Sequence, residues 1–485
     1  MTHPTHHDKR WWALLVLAFA QFITIMDTSI IGVALPDIQA ALGFSPEGLS
    51  WVFNGYVIAF GGLLLLGGRL GDLFGARRVF AAGLVVLTAG SLVAGLAGSE
   101  AAALIGRATQ GVGAALIGPT ALSILVSLFA HDARELTKAI AVFGAAAPAG
   151  GTAGVFLGGV LTDVLDWRWT LLVNVPLAVA VLAATPSILP AGVRRPERLD
   201  LLGSLLVTAA LALAVFGIVD ANNAGWGSTQ TLVVLGGAVA LLGAFVASQA
   251  LVREPLVPLG VFRVRNLTAA NVTLLLLGAA WIPMWFMLNL YLQQVLGYGA
   301  FEAGSALLPM TALIMVLMVG ATARVIGRFG LKAPLVAGLG ILAAGIGLFG
   351  LVSSDGGYVP DVLWASLIAA AGMSLAYVPA LNAGLSAVGP EQSGLASGLL
   401  GTSYQVGSAI GLAVMTSIAT SFGADQLGDV TELTNGYQAA FIGAAGVAVA
   451  AALAAVALLR TSGKAAAEAQ DEDTAAEPAA EALAA

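Results

Sequence analysis

Two charged residues sit where an apolar chain would be expected to have none. The stretch "FITIMDTSIIGVALPD", residues 22–37, reads as a membrane-spanning segment, yet Asp27 lies well inside it. A second such stretch, "LIGRATQGVGAALIGPTAL", carries Arg107. A charge in hydrocarbon is costly, so it marks an ion or proton pathway by default and tends to pair. At about 1.5 Å per residue, Asp27 lies about 25 Å above the inner end of its helix. Arg107 enters from the other side and lies about 10 Å below the outer face of a core about 30 Å thick. The two fall within about a turn of each other in depth. An approach between them, direct or through water, is therefore expected in at least one state.

The chemistry this pair offers is proton uptake and release. Burial favours the neutral acid and a nearby arginine favours the carboxylate, so small changes in the surroundings would tip the balance. Asp27 is the candidate by elimination, because Asp163, Asp166, Glu302 and Asp361 lie at or beyond the outer ends of their segments. Two other readings stay open. The pair could be purely structural, or Arg107 could snorkel to the outer interface. Other chemistries have little to build on. There is no cysteine, and three of the four histidines, at 3, 6 and 7, read as a polar leader. No metal site and no cofactor is expected, and no nucleic-acid partner. No G-x-x-x-x-G-K-[ST] stretch occurs, so the drive would be a proton gradient rather than ATP. No nucleophile–base constellation lies in the loops, so an enzyme is not expected.

The elements that must position these charges are helices in a membrane. Of the 485 residues, 59% are hydrophobic and only 10% charged, and mean hydropathy is +0.93. A soluble domain carries about 25% charged residues. Fourteen apolar runs stand out, near 11–33, 51–70, 78–98, 101–129, 138–160, 168–190, 200–219, 230–251, 268–293, 303–325, 332–352, 361–388, 396–420 and 437–459. None alternates as a barrel strand would, so an all-α integral membrane protein with fourteen transmembrane helices is predicted. With both termini cytoplasmic, 18 of the 20 basic residues fall inside, as the positive-inside rule asks. The leader has a signal-like basic pair, but its apolar run is too long, so it is read as an uncleaved first helix.

The organisation predicted is a six-helix half over 1–190 and a linker with two extra helices over 191–266. A second six-helix half follows over 267–460, then a disordered acidic tail over 461–485. Six acids fall within the last 18 residues, a composition with nothing to bury.

Four motifs carry a family resemblance. The loop "GRLGDLFGARRVF" places Gly68, Asp72, Gly75, Arg77 and Arg78 in the spacing of the signature loop of the major facilitator superfamily, with Ala76 where a base is common. Arg107, Gln110, Gly111 and Gly113 resemble a second motif of its proton-coupled exporters. "GGTAGVFLGG" resembles the antiporter motif through Gly150, Gly154, Gly158 and Gly159, with Val155 in place of proline and Pro148 two turns earlier. "DTSIIGVALP" resembles the first-helix signature of fourteen-helix drug:proton antiporters, with Ser29 and Gly32 as departures. The chain thus resembles that multidrug efflux family along its whole length. The resemblance implies alternating access, with Asp72, Arg77 and Arg78 as a latch between halves and antiport driven by protons. "GRFGLK", residues 327–332, looks like a degraded second copy of the signature loop. Apart from any family, Gly150, Gly154 and Gly158 share one helix face, which lets a neighbour approach closely.

The cavity candidates are Trp281, Trp285 and Asn289 in "WIPMWFMLNLYLQQ", with Asn54, Gln110, Tyr377 and Gln405. Aromatics and methionines suit adaptable apolar recognition; the aromatics fit a lipid-facing belt equally well. One buried acid paired with one arginine leaves no surplus negative charge, so neutral lipophilic cargo is favoured over dications. The expected protein is a monomeric, multi-pass exporter in a bacterial cytoplasmic membrane, with lipid, protons and a small lipophilic substrate as partners. The alternatives are a dedicated exporter of one endogenous metabolite, or a membrane sensor or scaffold that does not transport.

Overall fold

A computed structural model describes residues 6–44, 46–191, 200–252, 255, 257–389, 392–424, 426 and 428–460. The tail expected to be disordered, 461–485, lies outside these residues, as does most of the polar linker at 192–199. Among the described residues there are helices and turns and no strand. The first group is α1 (His6–Leu42), α2 (Pro46–Phe74), α3 (Ala76–Gly95), α4 (Glu100–Phe129), α5 (Ala133–Val164), α6 (Arg168–Leu172) and α7 (Asn174–Ile188). Two helices follow, α8 (Leu201–Ala224) and α9 (Thr229–Leu251). The last group is α10 (Arg265–Leu290), α11 (Ala300–Ala306), α12 (Leu308–Val316), α13 (Ala323–Phe329), α14 (Lys332–Phe349), α15 (Trp364–Leu385), α16 (Ser393–Ser421) and α17 (Val430–Leu458).

Twelve helical segments are long and apolar enough to cross a membrane. Of the fourteen expected runs, 200–219 and 396–420 are not among them. The apolar part of α8 spans only Leu202–Ile218. Helix α16 has 29 residues, but its glycine, serine and threonine content dilutes its apolar character. Two expected single helices are also broken. The run 168–190 divides at Val173 into α6 and α7, because Pro176 has no N–H for the Leu172 carbonyl. The run 303–325 divides at Leu307, two residues before Pro309, and includes a π-turn at Leu317–Thr322. Helix α5 continues through Pro148.

The second group repeats the packing of the first. Helix α1 lies against α5 and α7, and α3 against α4 and α7; likewise α10 lies against α16 and α17, and α14 against α15 and α17. The turn between α2 and α3 contains Gly75 at φ 91°, and the turn between α13 and α14 contains Gly330 at φ 73°. These left-handed conformations suit glycine. The weak resemblance between the two loops is therefore matched by a positive-φ glycine at the corresponding place in each.

Glycine decides how closely the helices approach. A Cβ on Gly150, Gly154 or Gly158 would stand 2.5, 2.7 or 2.8 Å from the carbonyl oxygens of Phe22, Met26 and Ile30 on α1. Both helices thus meet in a four-residue register, and Gly159 is buried beside the stripe. On α16, Gly407 and Gly411 meet the carbonyls of Leu275 and Ala279 on α10 in the same way. In a bilayer, where burial from water gives no drive between helices, such close packing does much of the holding.

Contacts between the groups run along two seams. Helix α5 meets α11, α12 and α15, and α2 meets α16. On the first seam Asn382 Nδ2 donates to Thr137 Oγ1 at 2.7 Å, and the hydroxyls of Thr152 and Thr311 bond each other. Helix α8 packs on both α2 and α16. Phe216 stacks on Trp51 with centroids 5.3 Å apart, and Trp226 Nε1 donates to Ser417 Oγ at 2.5 Å. Buried Asp200 ties the hairpin together: it accepts from Gly203 N at 2.8 Å and Gln249 Nε2 at 2.7 Å. Val257 N in turn donates to Gln249 Oε1 at 3.0 Å.

Gly154→Leu is expected to force α1 and α5 apart and cost about 1–3 kcal/mol or more through overpacking. Gly340→Ala, at an exposed position with open space around it, is expected to leave stability unchanged or slightly raised. Thermal unfolding of the two variants in detergent checks both.

Candidate functional site

The bundle of α1, α2, α3, α4 and α7 closes around one polar cluster. Asp27 sits on α1 and Arg107 on α4, and both are 0% exposed. Arg107 Nη1 donates to Asp27 Oδ2 at 2.8 Å. The charges placed at one depth by helix rise are in direct contact, and Arg107 does not snorkel. Asp27 Oδ1 accepts two further bonds, from Gln110 Nε2 at 2.9 Å and from Asn174 Nδ2 at 2.5 Å. The carboxylate therefore has three donors, one of them charged, and bonds of that kind are the stronger ones.

The arginine is held as firmly. Its Nε donates to the Val52 carbonyl at 2.9 Å, and Nη1 also reaches Gln110 Oε1 at 2.9 Å. Its guanidinium lies 4.6 Å from the centroid of the Tyr56 ring, within cation–π range. The Tyr56 hydroxyl donates to the Thr24 carbonyl at 3.2 Å. Gln110 Nε2 reaches Ser91 Oγ at 2.8 Å. Two buried atoms in the cluster have no partner, Arg107 Nη2 and Asn174 Oδ1. The arrangement gives both carboxylate oxygens donors and shuts both charged side chains off from solvent in this conformation.

Gln110, expected in the cavity, is instead part of this network. Ser91, Tyr56 and Asn174 are members that sequence reasoning missed. Asn174 carries the clearest overlooked signal: it is a lone amide in the apolar run "TLLVNVPLAV", the same kind of anomaly as Asp27.

The remaining candidates lie elsewhere. Trp285 is half-buried and approaches Gly151 on α5: a Cβ there would be 3.7 Å from its ring. Tyr377 reaches Gly144 on the same helix and meets Tyr404 edge-on, with centroids 5.9 Å apart. Tyr404 was not anticipated. Gln405 is half-buried beside it, and Trp281 is buried. Asn289 is half-buried and accepts from Gln293 Nε2 at 3.1 Å. The side chain of Asn54 lies outside the described residues. At the loop, Gly68 is buried, Asp72 half-buried and Arg78 exposed. Arg77 Nη1 donates to the Leu189 carbonyl at 3.1 Å, a bond within the first group of helices. Among the described residues no group of three or more metal-ligating side chains occurs.

Comparison with known proteins fits this architecture. The Major Facilitator Superfamily profile matches residues 17–412 and 321–484. The cephamycin export protein CmcT of Amycolatopsis lactamdurans is 39% identical over 437 residues, 89% of each chain. The puromycin resistance protein pur8 of Streptomyces alboniger is 35% identical over 90% of this chain and 89% of its own. Among solved structures, the human organic anion transporter MFSD10 (TETRAN) superposes with a TM-score of 0.66 at 17% identity, over 92% of this chain and 99% of its own. At such low identity the superposition speaks for the fold alone. By its match to the family along most of its length, the chain belongs to the Major Facilitator Superfamily and is a transport protein rather than an enzyme.

Proposed function

We propose that the protein exports a small lipophilic compound across a bacterial cytoplasmic membrane by alternating access, in exchange for protons. The observation that carries this reading is the sealed Asp27–Arg107 pair, 0% exposed on both sides, in a chain similar to proteins named for cephamycin export and puromycin resistance. A carboxylate that is sealed in one conformation exchanges its proton only when the bundle opens. That couples protonation to the change of access. No other ion pair among the described residues is fully buried, so the cavity offers little to a dication. Half-buried Trp285, Tyr377 and Tyr404 suit neutral, partly aromatic cargo.

In this reading all fourteen long helical segments cross the membrane, with both termini cytoplasmic. The halves are 1–190 and 267–460, and α8 and α9 form an inserted hairpin between them. The protein acts as a monomer and needs no cofactor beyond the proton gradient. Asp72, Arg77 and Arg78 stabilise one of its conformations. A dedicated exporter of one endogenous metabolite is the second reading. It is favoured by relatives whose names each give a single antibiotic.

Substrate-induced proton release from purified protein, over a panel of lipophilic compounds, tests the proposal. Wild type is expected to release protons and Asp27→Asn to release none. Undiminished release from the variant would make Asp27 structural. Release with one compound alone would select the dedicated exporter. Arg107→Leu is expected to destabilise the fold by about 3–5 kcal/mol, because it strands a buried carboxylate. Adding Asp27→Asn to it is expected to recover much of that loss, read as thermal midpoints of the single and double variants.

A further inference from the structure

The cluster around Asp27 is satisfied for a carboxylate, yet it keeps one buried acceptor without a donor. That acceptor is Asn174 Oδ1. The nitrogen of the same amide donates to Asp27 Oδ1 at 2.5 Å. An amide presents two donors on one side and an acceptor on the other. Rotation by half a turn about the last side-chain bond exchanges them without moving the backbone. A protonated carboxyl needs an acceptor for its new O–H, and the other side chains that contact it do not readily offer one. Arg107 has only donors. Gln110 already donates to Ser91 and accepts from Arg107, so its amide is fixed at both ends.

We infer that Asn174 is a positioning residue that serves both protonation states of Asp27: it donates to the carboxylate and, after an amide flip, accepts from the acid. The inference rests on the reading of Asp27 as the proton carrier. The rest of the cluster fits such a two-state site. When Asp27 is neutral, Arg107 retains the Val52 carbonyl, Gln110 Oε1 and the Tyr56 ring. The cation therefore keeps hydrogen-bond acceptors and the ring face when its counter-charge disappears. Asn174 is also the first residue of α7, directly after the break at Val173.

The charged and titratable groups facing Asp27 are few. From α4 there is Arg107, and from α2 the Tyr56 phenol. Ser91 of α3 and Asn174 of α7 carry none, and α5 packs on the other side of α1 through Gly150, Gly151 and Gly154, which carry none either. The protonation midpoint of Asp27 is therefore set by its partners and burial, and a change at Asn174 reads out directly.

The test is a pH titration of purified protein by infrared difference spectroscopy, following the protonated-carboxyl band that is absent in Asp27→Asn. Asn174→Leu removes donor and acceptor at similar size. The bond to the charged form is the stronger of the two, so the band is expected to reach its midpoint about one pH unit higher. Asn174→Ser keeps a group that both donates and accepts, and its midpoint is expected near that of wild type. A wild-type midpoint in Asn174→Leu would overturn the inference, as would a shift of equal size in both variants. Substrate-induced proton release is measured alongside. If wild type releases none while Asn174→Leu still shifts the midpoint, proton coupling falls and the role of Asn174 stands.

Discussion

A guanidinium and a carboxylate removed from water cost several kcal/mol each, and their attraction offsets this only when every remaining donor and acceptor is placed. The helices around Asp27 and Arg107 come close to that condition, leaving Arg107 Nη2 and Asn174 Oδ1 as the cluster's two atoms without a partner. Helix α2 supplies a backbone carbonyl and a ring, α3 a hydroxyl, α4 an amide one turn from the arginine, and α7 a second amide. None of these can move far without exposing a charge to hydrocarbon. The positions of α1, α4 and α7 relative to one another are thus tied to one bond pattern. Changing the charge of that carboxyl would change the bond pattern that ties these helices together.

The glycine stripes complete this arrangement. They let α1 lie close against α5 on one side while its other side faces the polar cluster. The equivalent stripe on α16 brings α10 close in the second group, which has no buried ion pair among the described residues. The two groups share a packing scheme, but only one carries charge at its centre. The asymmetry is chemical rather than architectural.

Much of this was legible in the sequence. Apolar runs fixed most helices, because the bilayer leaves the backbone few other ways to satisfy its hydrogen bonds. Helix rise alone placed Asp27 and Arg107 at one depth. The breaks at Val173 and Leu307 were signalled by Pro176 and Pro309, but length and hydropathy do not register them. Asn174, Ser91 and Gln110 were harder to place. A single amide or hydroxyl in an apolar run bonds its own helix as readily as a neighbour, and only the crossing of five helices decides which. Tyr404 was hidden for a related reason: its partner Tyr377 lies on another helix, and no spacing along the chain reports the pair.

The hairpin of α8 and α9 bears on a question of route. A lipophilic cargo entering from the bilayer would slide sideways out of a leaflet, between the two groups of helices. Of the two clefts where the halves meet, the one between α2 and α16 already has α8 lying across it, fixed by Trp51, Trp226 and the knot around Asp200. Lateral entry would then be left to the opposite cleft, along α5, where the Thr152–Thr311 and Asn382–Thr137 bonds join the two groups of helices. The insertion makes the transporter one-sided in the plane of the membrane.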